Sequence, residues 1–229
     1  MQRSADDVLE VLDSLNAQKS LLVGSSCAGQ ILTLFASQHS DRLRGLVYLD
    51  GANDPTIPAH DPPMPDPATL PRRARPAPEP DLSSFEAFTR RRDLNVAFPE
   101  AEWRQQFAAN ADGSVGRLLM SLEIRRAITV DARTKPKYSG IRVPVLAIYQ
   151  AQNPFEVVAT QFDIRNEQER AALRQQYDAT RAMYTRWQQD LSAAVPTARI
   201  VELPGANLYM FLSNEADVLR EIRAFATGQ

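Results

Sequence analysis

The sequence contains few of the residues that build covalently linked or metal-dependent folds. Among its 229 residues are one cysteine, Cys27, and two histidines, His39 and His60. A single cysteine excludes an intrachain disulfide framework and a zinc site made of several thiolates. A thiolate-based metal site is therefore excluded, and we expect no other metal and no cofactor in this chain.

An excess of charge of one sign and long apolar runs are also lacking. The 26 Lys and Arg residues nearly balance the 28 Asp and Glu residues, and the net charge is −2. We expect no nucleic-acid partner, because neutralising phosphates requires a concentrated excess of cationic side chains. No apolar run approaches the ~18 residues of a membrane span, so none is expected. The hydrophobic content of 44% is typical of one globular domain, with or without an inserted subdomain.

The first fifty residues alternate between helical and strand patterns. Apolar residues recur at helical spacing over 4–15 and again over 28–38. Continuous apolar runs at 20–23 and 45–49 are typical of strands buried on both faces of a parallel sheet. This order predicts an α/β fold, in which a parallel sheet is flanked by helices.

The alternation breaks after the second strand. Proline outnumbers glycine by 16 to 9, and ten of the prolines fall between Pro55 and Pro80. This composition predicts that residues 54–80 form an extended connector and not a packed element. Helical spacing predicts helices over 82–109 and 115–128, with no strand in this region. The residues expected to be buried there are Phe85, Phe88, Trp103, Phe107, Leu118, Leu119 and Leu122.

Strand and helix patterns resume in the last third of the chain. Strands are predicted over 143–149 and 198–203, and helices over 167–191 and 215–226. The chain is therefore predicted to consist of three parts. They are a core with a strand-to-helix turn (residues 1–53), a proline-rich connector with an inserted, mostly helical cap (54–138) and the remainder of the core (139–229).

The sharpest local signal lies at the first strand-to-helix turn, in the sequence from Leu22 to Gly29. A nucleophile elbow needs small residues two positions before and two after the nucleophile, because its turn is too tight for larger side chains. Gly24 and Ala28 flank Ser26 at that spacing. The start of the following helix and the N–H of Cys27 would favour a developing oxyanion. Ser26 is therefore the candidate nucleophile.

Two other interpretations of the same turn are weaker. A phosphate-binding loop would show a G-x-G-x-x-G pattern or the Walker lysine, and the segment after Val23 has neither. Cys27 could itself be a nucleophile, but no histidine lies near it in the sequence.

Nearly the whole chain resembles the α/β-hydrolase fold family, and its segments follow the family's order. Residues 4–52 resemble the part that runs from the helix before the nucleophile strand to the strand after it. Residues 54–138 resemble the inserted cap, and 141–154 resemble the strand whose end bears the catalytic acid. Residues 203–225 resemble the histidine loop and the last helix.

The resemblance implies a serine hydrolase that forms an acyl-enzyme on small-molecule esters or amides. Ser26 is then the nucleophile, and the backbone N–H of Cys27 is an oxyanion donor. The partner is a small-molecule substrate or ligand, and no cofactor takes part.

Two positions depart from the family's catalytic residues. Leu208, in the segment Gly205-Ala-Asn-Leu208-Tyr209, stands where the resemblance gives the histidine. Asn153 stands where the resemblance gives the acid, and an amide cannot stabilise an imidazolium as a carboxylate does. Losing one triad member commonly costs a factor on the order of 10⁴ to 10⁶ in rate.

Other residues are poor substitutes for the missing groups. His39 lies near the end of the helix after Ser26 and is interpreted as a surface imidazole, whereas His60 could reach Ser26 only if the connector folds over it. Asp50 and Glu156 are spare carboxylates without a histidine to orient, and Asp50 is interpreted as a turn former at the end of a strand.

The number of predicted strands is half of what the family implies. The fold has eight strands and the sequence predicts four, so we expect the N-terminal half of the fold to be missing. The strand at 20–23 would then be an exposed apolar edge, which favours self-association. The localisation stays undefined, with the cytoplasm as the default, because any targeting signal would lie in the part that we expect to be missing.

The sequence therefore predicts a hydrolase-family protein whose catalysis is impaired by Leu208. Two alternatives stay open. One is a non-catalytic pseudoenzyme that binds a small ligand. The other is a truncated product without independent function.

Overall fold

The structure is a computed structural model that describes residues 1–56, 63–74, 79–91, 98–124, 126 and 134–228. Its main elements alternate as the sequence predicts, with boundaries that differ by at most three residues. They are α1 (Gln2–Ser14), β1 (Ser20–Ser25), α2 (Ala28–Gln38), β2 (Leu43–Leu49), β6 (Val145–Gln150), α6 (Glu167–Ala194), β8 (Arg199–Leu203) and α8 (Glu215–Thr227).

These strands form one parallel sheet in the order β1-β2-β6-β8. The register aligns Val23, Val47 and Leu146 in one row across it. Strands β2 and β6 lie in the middle, and nearly all of their residues are buried because helices cover both faces. This explains why they appear in the sequence as unbroken apolar runs. The predicted α/β fold with a parallel sheet flanked by helices is confirmed.

The two faces of the sheet have separate cores. On one face, Leu46 and Tyr48 pack with Phe35 of α2 and Leu191 of α6. On the other face, Val47, Ile148 and Leu203 pack with Met210 and with Val218 of α8. Side chains alternate between the two faces along each strand, so each core draws on every second residue of the sheet.

The inserted region contains strands as well as helices. Helices α3 (Phe85–Arg91) and α4 (Glu100–Gln106) are followed by an antiparallel hairpin of β4 (Phe107–Ala109) and β5 (Val115–Leu118). The prediction of a helix from residue 115 and of no strand in this region was wrong. Residues 122–124 are helical, and 125 and 127–133 lie outside the described residues.

A turn at residues 110–114 produces this hairpin. The Asn110 N–H donates to the carbonyl of Ser114, and the side chain of Asp112 accepts from the Ser114 N–H. Gly113 has a φ of +83°, which a glycine adopts at little cost. The Asp-Gly pair is a hairpin signal, and here it overrides the helical spacing of the residues that follow.

The aromatic residues of the insertion form a small core of their own. As predicted, Phe85, Phe88 and Trp103 are buried, together with Val115. Phe107 and Leu118 are partly buried, whereas Leu119 and Leu122 are exposed, contrary to the prediction.

This small core also reaches the sheet. The ring of Phe98 packs on Trp103 and stands edge-on to Tyr209, with a centroid distance of 4.8 Å. Tyr209 follows β8, so the insertion lies at the carboxyl edge of the sheet.

The described part of the proline-rich segment is packed, not free. Residues 67–69 form a turn of 3₁₀ helix, and β3 (Arg72–Arg73) pairs antiparallel with β7 (Phe162–Asp163). The Gln175 side chain of α6 donates to the Pro63 carbonyl at 2.7 Å. The prediction of an unpacked connector is therefore wrong for these residues.

The remaining helices are short. They are α5 (Phe155–Ala159), which follows β6, and α7 (Met210–Ser213), which follows the loop after β8. None of the described helices combines the length with the apolar character that a membrane span requires.

Candidate active site

The turn between β1 and α2 holds Ser26 in an uncommon backbone conformation. Its φ is +52°, in the left-handed region that residues with a Cβ atom seldom adopt. Such conformations persist where the surrounding structure enforces them and are frequent at active sites. The strand, the tight turn and the helix that a nucleophile elbow requires are all present at Ser26.

Two glycines make this turn possible. A Cβ atom added to Gly24 would lie 2.7 Å from a side-chain carbon of Leu32. A Cβ atom added to Gly29 would lie only 1.9 Å from the carbonyl oxygen of Gly51. The first turn of α2 therefore packs against the backbone that follows β2, and only glycine at position 29 permits this approach.

Hydrogen bonds fix the backbone of Ser26 on both sides. Its N–H donates to the Leu49 carbonyl at 3.1 Å, and its carbonyl accepts from the Gly29 N–H at 2.9 Å. Its side-chain hydroxyl makes no hydrogen bond to any residue that the structure describes. Cys27 is exposed and stands at the start of α2, and its N–H likewise donates to no described residue.

The residues predicted to stand at the acid and histidine positions lie on the two loops after β6 and β8. The carbonyl of Asn153 accepts from the Tyr177 hydroxyl at 2.9 Å. Leu208 is 40% exposed. Strands β1 and β8 are opposite edges of the sheet and about 14 Å apart, since neighbouring strands are spaced by about 4.8 Å. Within the described ranges, no hydrogen bond joins Ser26 to either residue.

The histidines and Glu156 contribute nothing to Ser26 in the part of the chain that is described. His39 stands at the far end of α2, about 16 Å along the helix axis, and its ring packs on Phe35 at a centroid distance of 5.0 Å. His60 lies outside the described residues. Glu156 forms ion pairs with Arg170 and Arg174 at the surface.

The sequence analysis interpreted Asp50 as a turn former and missed its burial and its hydrogen bonds. This residue has a φ of +51° and is only 7% exposed. Its Oδ2 accepts hydrogen bonds from the side-chain amide of Gln150 at 2.9 Å and from the Tyr184 hydroxyl at 3.2 Å. Its Oδ1 is buried and has no hydrogen-bond partner among the described residues. Burial raises the pKa of Asp50 above its ordinary value of 3.8, and the hydrogen bonds partly oppose that shift.

Asp50 begins a loop that is fixed by side chains from three elements. Gln30 of α2 donates to the Asn53 carbonyl at 2.6 Å, and Tyr149 of β6 donates to the Ala52 carbonyl at 2.6 Å. Trp187 of α6 donates to the Asp54 carbonyl at 3.1 Å. These contacts hold the backbone on which α2 packs.

Two clefts of about 300 and 450 Å³ flank residues 135–137. The first is also lined by Gln30 and Thr33, and the second by Tyr138 and Asp190. Ser26 lines neither cleft. Among the described residues, no group of three or more His, Cys, Asp or Glu side chains could hold a metal ion.

Comparison with known proteins agrees with this architecture. The family model described as alpha/beta hydrolase fold matches residues 2–158. The crystal structure of E-2-(acetamidomethylene)succinate hydrolase is similar, with a TM-score of 0.59 and 18% identity over 97% of this chain and 72% of that one.

A structure described as a marine microorganism esterase is similar with a TM-score of 0.51 and 14% identity, over 96% of this chain and 75% of that one. No curated protein matches the chain by sequence at a significant level. Because the family model matches more than half of the residues, the chain belongs to the alpha/beta hydrolase fold family.

Proposed function

We propose that the chain is a serine-hydrolase-type protein for small-molecule esters or amides, with Ser26 in the position of the nucleophile and with impaired turnover. The observation that carries this proposal is the left-handed Ser26 at a strand-to-helix turn. Such a turn exposes a serine hydroxyl at the carboxyl edge of the sheet.

The turn supplies part of what acyl transfer needs. When a serine oxygen attacks a carbonyl carbon, negative charge develops on the carbonyl oxygen. The N–H of Cys27 and the first turn of α2 provide a hydrogen-bond donor and a positive dipole end for that charge. Cys27 is therefore proposed as the backbone oxyanion donor.

The same site has no described group that removes the serine proton. Leu208 is apolar, and the amide of Asn153 is neutral, so neither replaces an imidazole or a carboxylate. A serine hydroxyl without an adjacent base is a weak nucleophile. This is the physical reason for proposing impaired turnover.

The proposed substrate class, small-molecule esters or amides, is inferred from the family to which the chain belongs. Two of the similar structures are described as a hydrolase and an esterase. At 18% and 14% identity they show the shared fold, and the ester or amide substrate remains part of the proposal.

A second candidate function is the binding of an apolar ligand without catalysis. The partly exposed Leu208 lies beside Tyr209, and the ring of Tyr209 packs against Phe98 of the insertion. These apolar groups form a surface at the carboxyl edge of the sheet that needs no nucleophile to bind a ligand.

A fluorophosphonate probe separates the two candidates, because it reacts with serines that are activated for attack. We expect slow labelling of the wild type, mapped to Ser26 by mass spectrometry. The Ser26→Ala variant should not be labelled, and the control Ser25→Ala, one residue earlier on β1, should be labelled like the wild type. No labelling of the wild type at long times would favour the ligand-binding function, and labelling on Cys27 would contradict both.

A further inference from the structure

Two left-handed residues with side chains lie next to each other at the carboxyl edge of the sheet. Ser26 follows β1 and Asp50 follows β2, with φ values of +52° and +51°. Ser25 is paired with Leu49 in the sheet, and the Ser26 N–H donates to the Leu49 carbonyl. The two turns therefore begin at the same level of adjacent strands.

The backbone after Asp50 touches the Ser26 turn directly. A Cβ atom added to Gly51 would lie 3.1 Å from the Ser26 carbonyl oxygen. One added to Gly29 would lie 1.9 Å from the Gly51 carbonyl oxygen. Because the two backbones are packed this closely and the Ser26 N–H donates to the carbonyl of Leu49, next to Asp50, we expect a displacement of Asp50 and Gly51 to disturb the Ser26 turn as well.

The side chain of Asp50 anchors that backbone to the opposite side of the site. Its Oδ2 receives hydrogen bonds from Gln150 of β6 and Tyr184 of α6, and the amide nitrogen of Gln150 is also 2.5 Å from the Tyr184 hydroxyl oxygen. The three side chains thus form a closed network. It holds Asp50 in a backbone conformation that is otherwise unfavourable for a residue with a Cβ atom.

The surroundings of Asp50 favour its neutral form. The titratable groups that face it are the hydroxyls of Tyr149 and Tyr184, and burial raises the pKa of both. No Lys, Arg or His of the described ranges forms an ion pair with Asp50. Burying an unpaired carboxylate is costly, and burial raises the pKa of Asp50.

We propose that Asp50 is a positioning residue for Ser26, whose neutral carboxyl group holds the Ser26 turn and whose ionisation loosens it. The effect on nucleophile chemistry rests on the proposed function, but the effect on the turn does not. As pH rises, Asp50 loses its proton from Oδ1, the oxygen without a described partner. The resulting buried charge draws the 50–51 backbone towards solvent, and the Ser26 turn follows.

Amide hydrogen exchange at Ser26 and Gly29 tests this proposal without requiring activity. Protection factors, which correct for the intrinsic pH dependence of exchange, are measured from about pH 4 to about pH 9. In the wild type we expect them to fall at least about tenfold as pH rises, the effect of losing one buried hydrogen bond.

Three substitutions at position 50 separate the possible causes. Asparagine tolerates a left-handed backbone and keeps an acceptor for Gln150 and Tyr184, so Asp50→Asn should be protected equally at every pH. Asp50→Ala should be unprotected at every pH. Asp50→Gly permits the backbone conformation but lacks the anchor, so it should resemble Asp50→Ala. The control Asp54→Asn alters a buried carboxylate that contacts Thr56, and it should follow the wild type.

Several results would overturn the proposal. Wild-type protection that is independent of pH would exclude the proton-sensitive role. Wild-type protection in Asp50→Gly would show that the side chain is not needed. Fluorophosphonate labelling of the same variants is scored separately. If no variant is labelled while protection behaves as expected, the proposed function fails and the positioning role of Asp50 stands.

Discussion

The two halves of the candidate site differ in what determines them, which is backbone sterics in one half and side-chain chemistry in the other. In the half built by β1 and α2, sterics determine the structure: Gly24 and Gly29 permit a turn that places Ser26 at a φ of +52°. In the half built by the loops after β6 and β8, the proposed function depends on side-chain chemistry that the amide of Asn153 and the apolar Leu208 would not supply. We therefore propose that this chain has the geometry of a nucleophile turn without described groups that would activate the serine.

Repairing the second half is the most sensitive test of this difference. Leu208→His alone should restore little hydrolysis of a p-nitrophenyl ester, because Asn153 cannot stabilise the imidazolium that forms. A wrong orientation or tautomer costs about 10⁴ in a serine protease triad. Adding Asn153→Asp should recover part of that factor.

Turnover is measured for the wild type, both single variants and the double variant, each with a Ser26→Ala counterpart. The melting temperature of each variant confirms that it folds. A Leu208→His variant as active as the double variant would show that the acid comes from elsewhere, with Asp50 as the first residue to test.

The steric half is tested by adding one methyl group. Gly29→Ala should destabilise the protein by about 3 kcal/mol, because its Cβ atom would collide with the backbone carbonyl of Gly51. Gly24→Ala is the matched control, since its closest contact is the flexible end of Leu32. Its cost should be about 1 kcal/mol. Equal midpoints in urea for the two variants would contradict the account of the turn.

The proposed anchoring of the Ser26 turn by Asp50 predicts a pH dependence of stability. The pKa of Asp50 is raised in the folded state, so the folded state binds its proton more tightly than the unfolded state does. This contribution is fully present below the ordinary pKa of 3.8 and is lost as pH rises through the folded-state pKa. The free energy of unfolding of the wild type should therefore fall over that range relative to that of Asp50→Asn. Parallel urea titrations of the two proteins measure the difference.

The smallest expected effect concerns the outer edge of the steric half. Strand β1 pairs with β2, and no other described strand pairs with it. Val23 on β1 is 46% exposed, and the residues from Ser20 to Ser25 include no charge and no proline to prevent pairing. We propose that β1 pairs with β1 of a second copy.

Light scattering after size exclusion tests this association. Val23→Lys should shift the protein towards the monomer, with a change in stability within about 0.5 kcal/mol. Val157→Lys, at an exposed apolar residue of α5, is the control. A monomeric wild type would contradict the pairing.

How much of the structure the sequence predicts depends on how far apart along the chain the interacting residues lie. The Ser26 turn was predictable because its determinants lie within three residues, and β2 and β6 because burial on both faces leaves unbroken apolar runs. The hairpin at residues 107–118 was missed because the residues that follow the Asp-Gly pair also have helical spacing.

The network around Asp50 could not be predicted from one sequence. Its partners Gln150 and Tyr184 lie 100 and 134 residues away along the chain. No local pattern joins them, and only the packing of β6 and α6 against the end of β2 brings them together.

Turnover of a p-nitrophenyl ester by the wild type and by Ser26→Ala tests the central claim most directly. The account predicts a slow wild-type rate that exceeds the rate of Ser26→Ala only slightly, because no described base activates the Ser26 hydroxyl. Rapid turnover by the wild type that disappears in Ser26→Ala would contradict it. If that turnover also disappeared in His60→Ala, the base would be the one histidine outside the described residues.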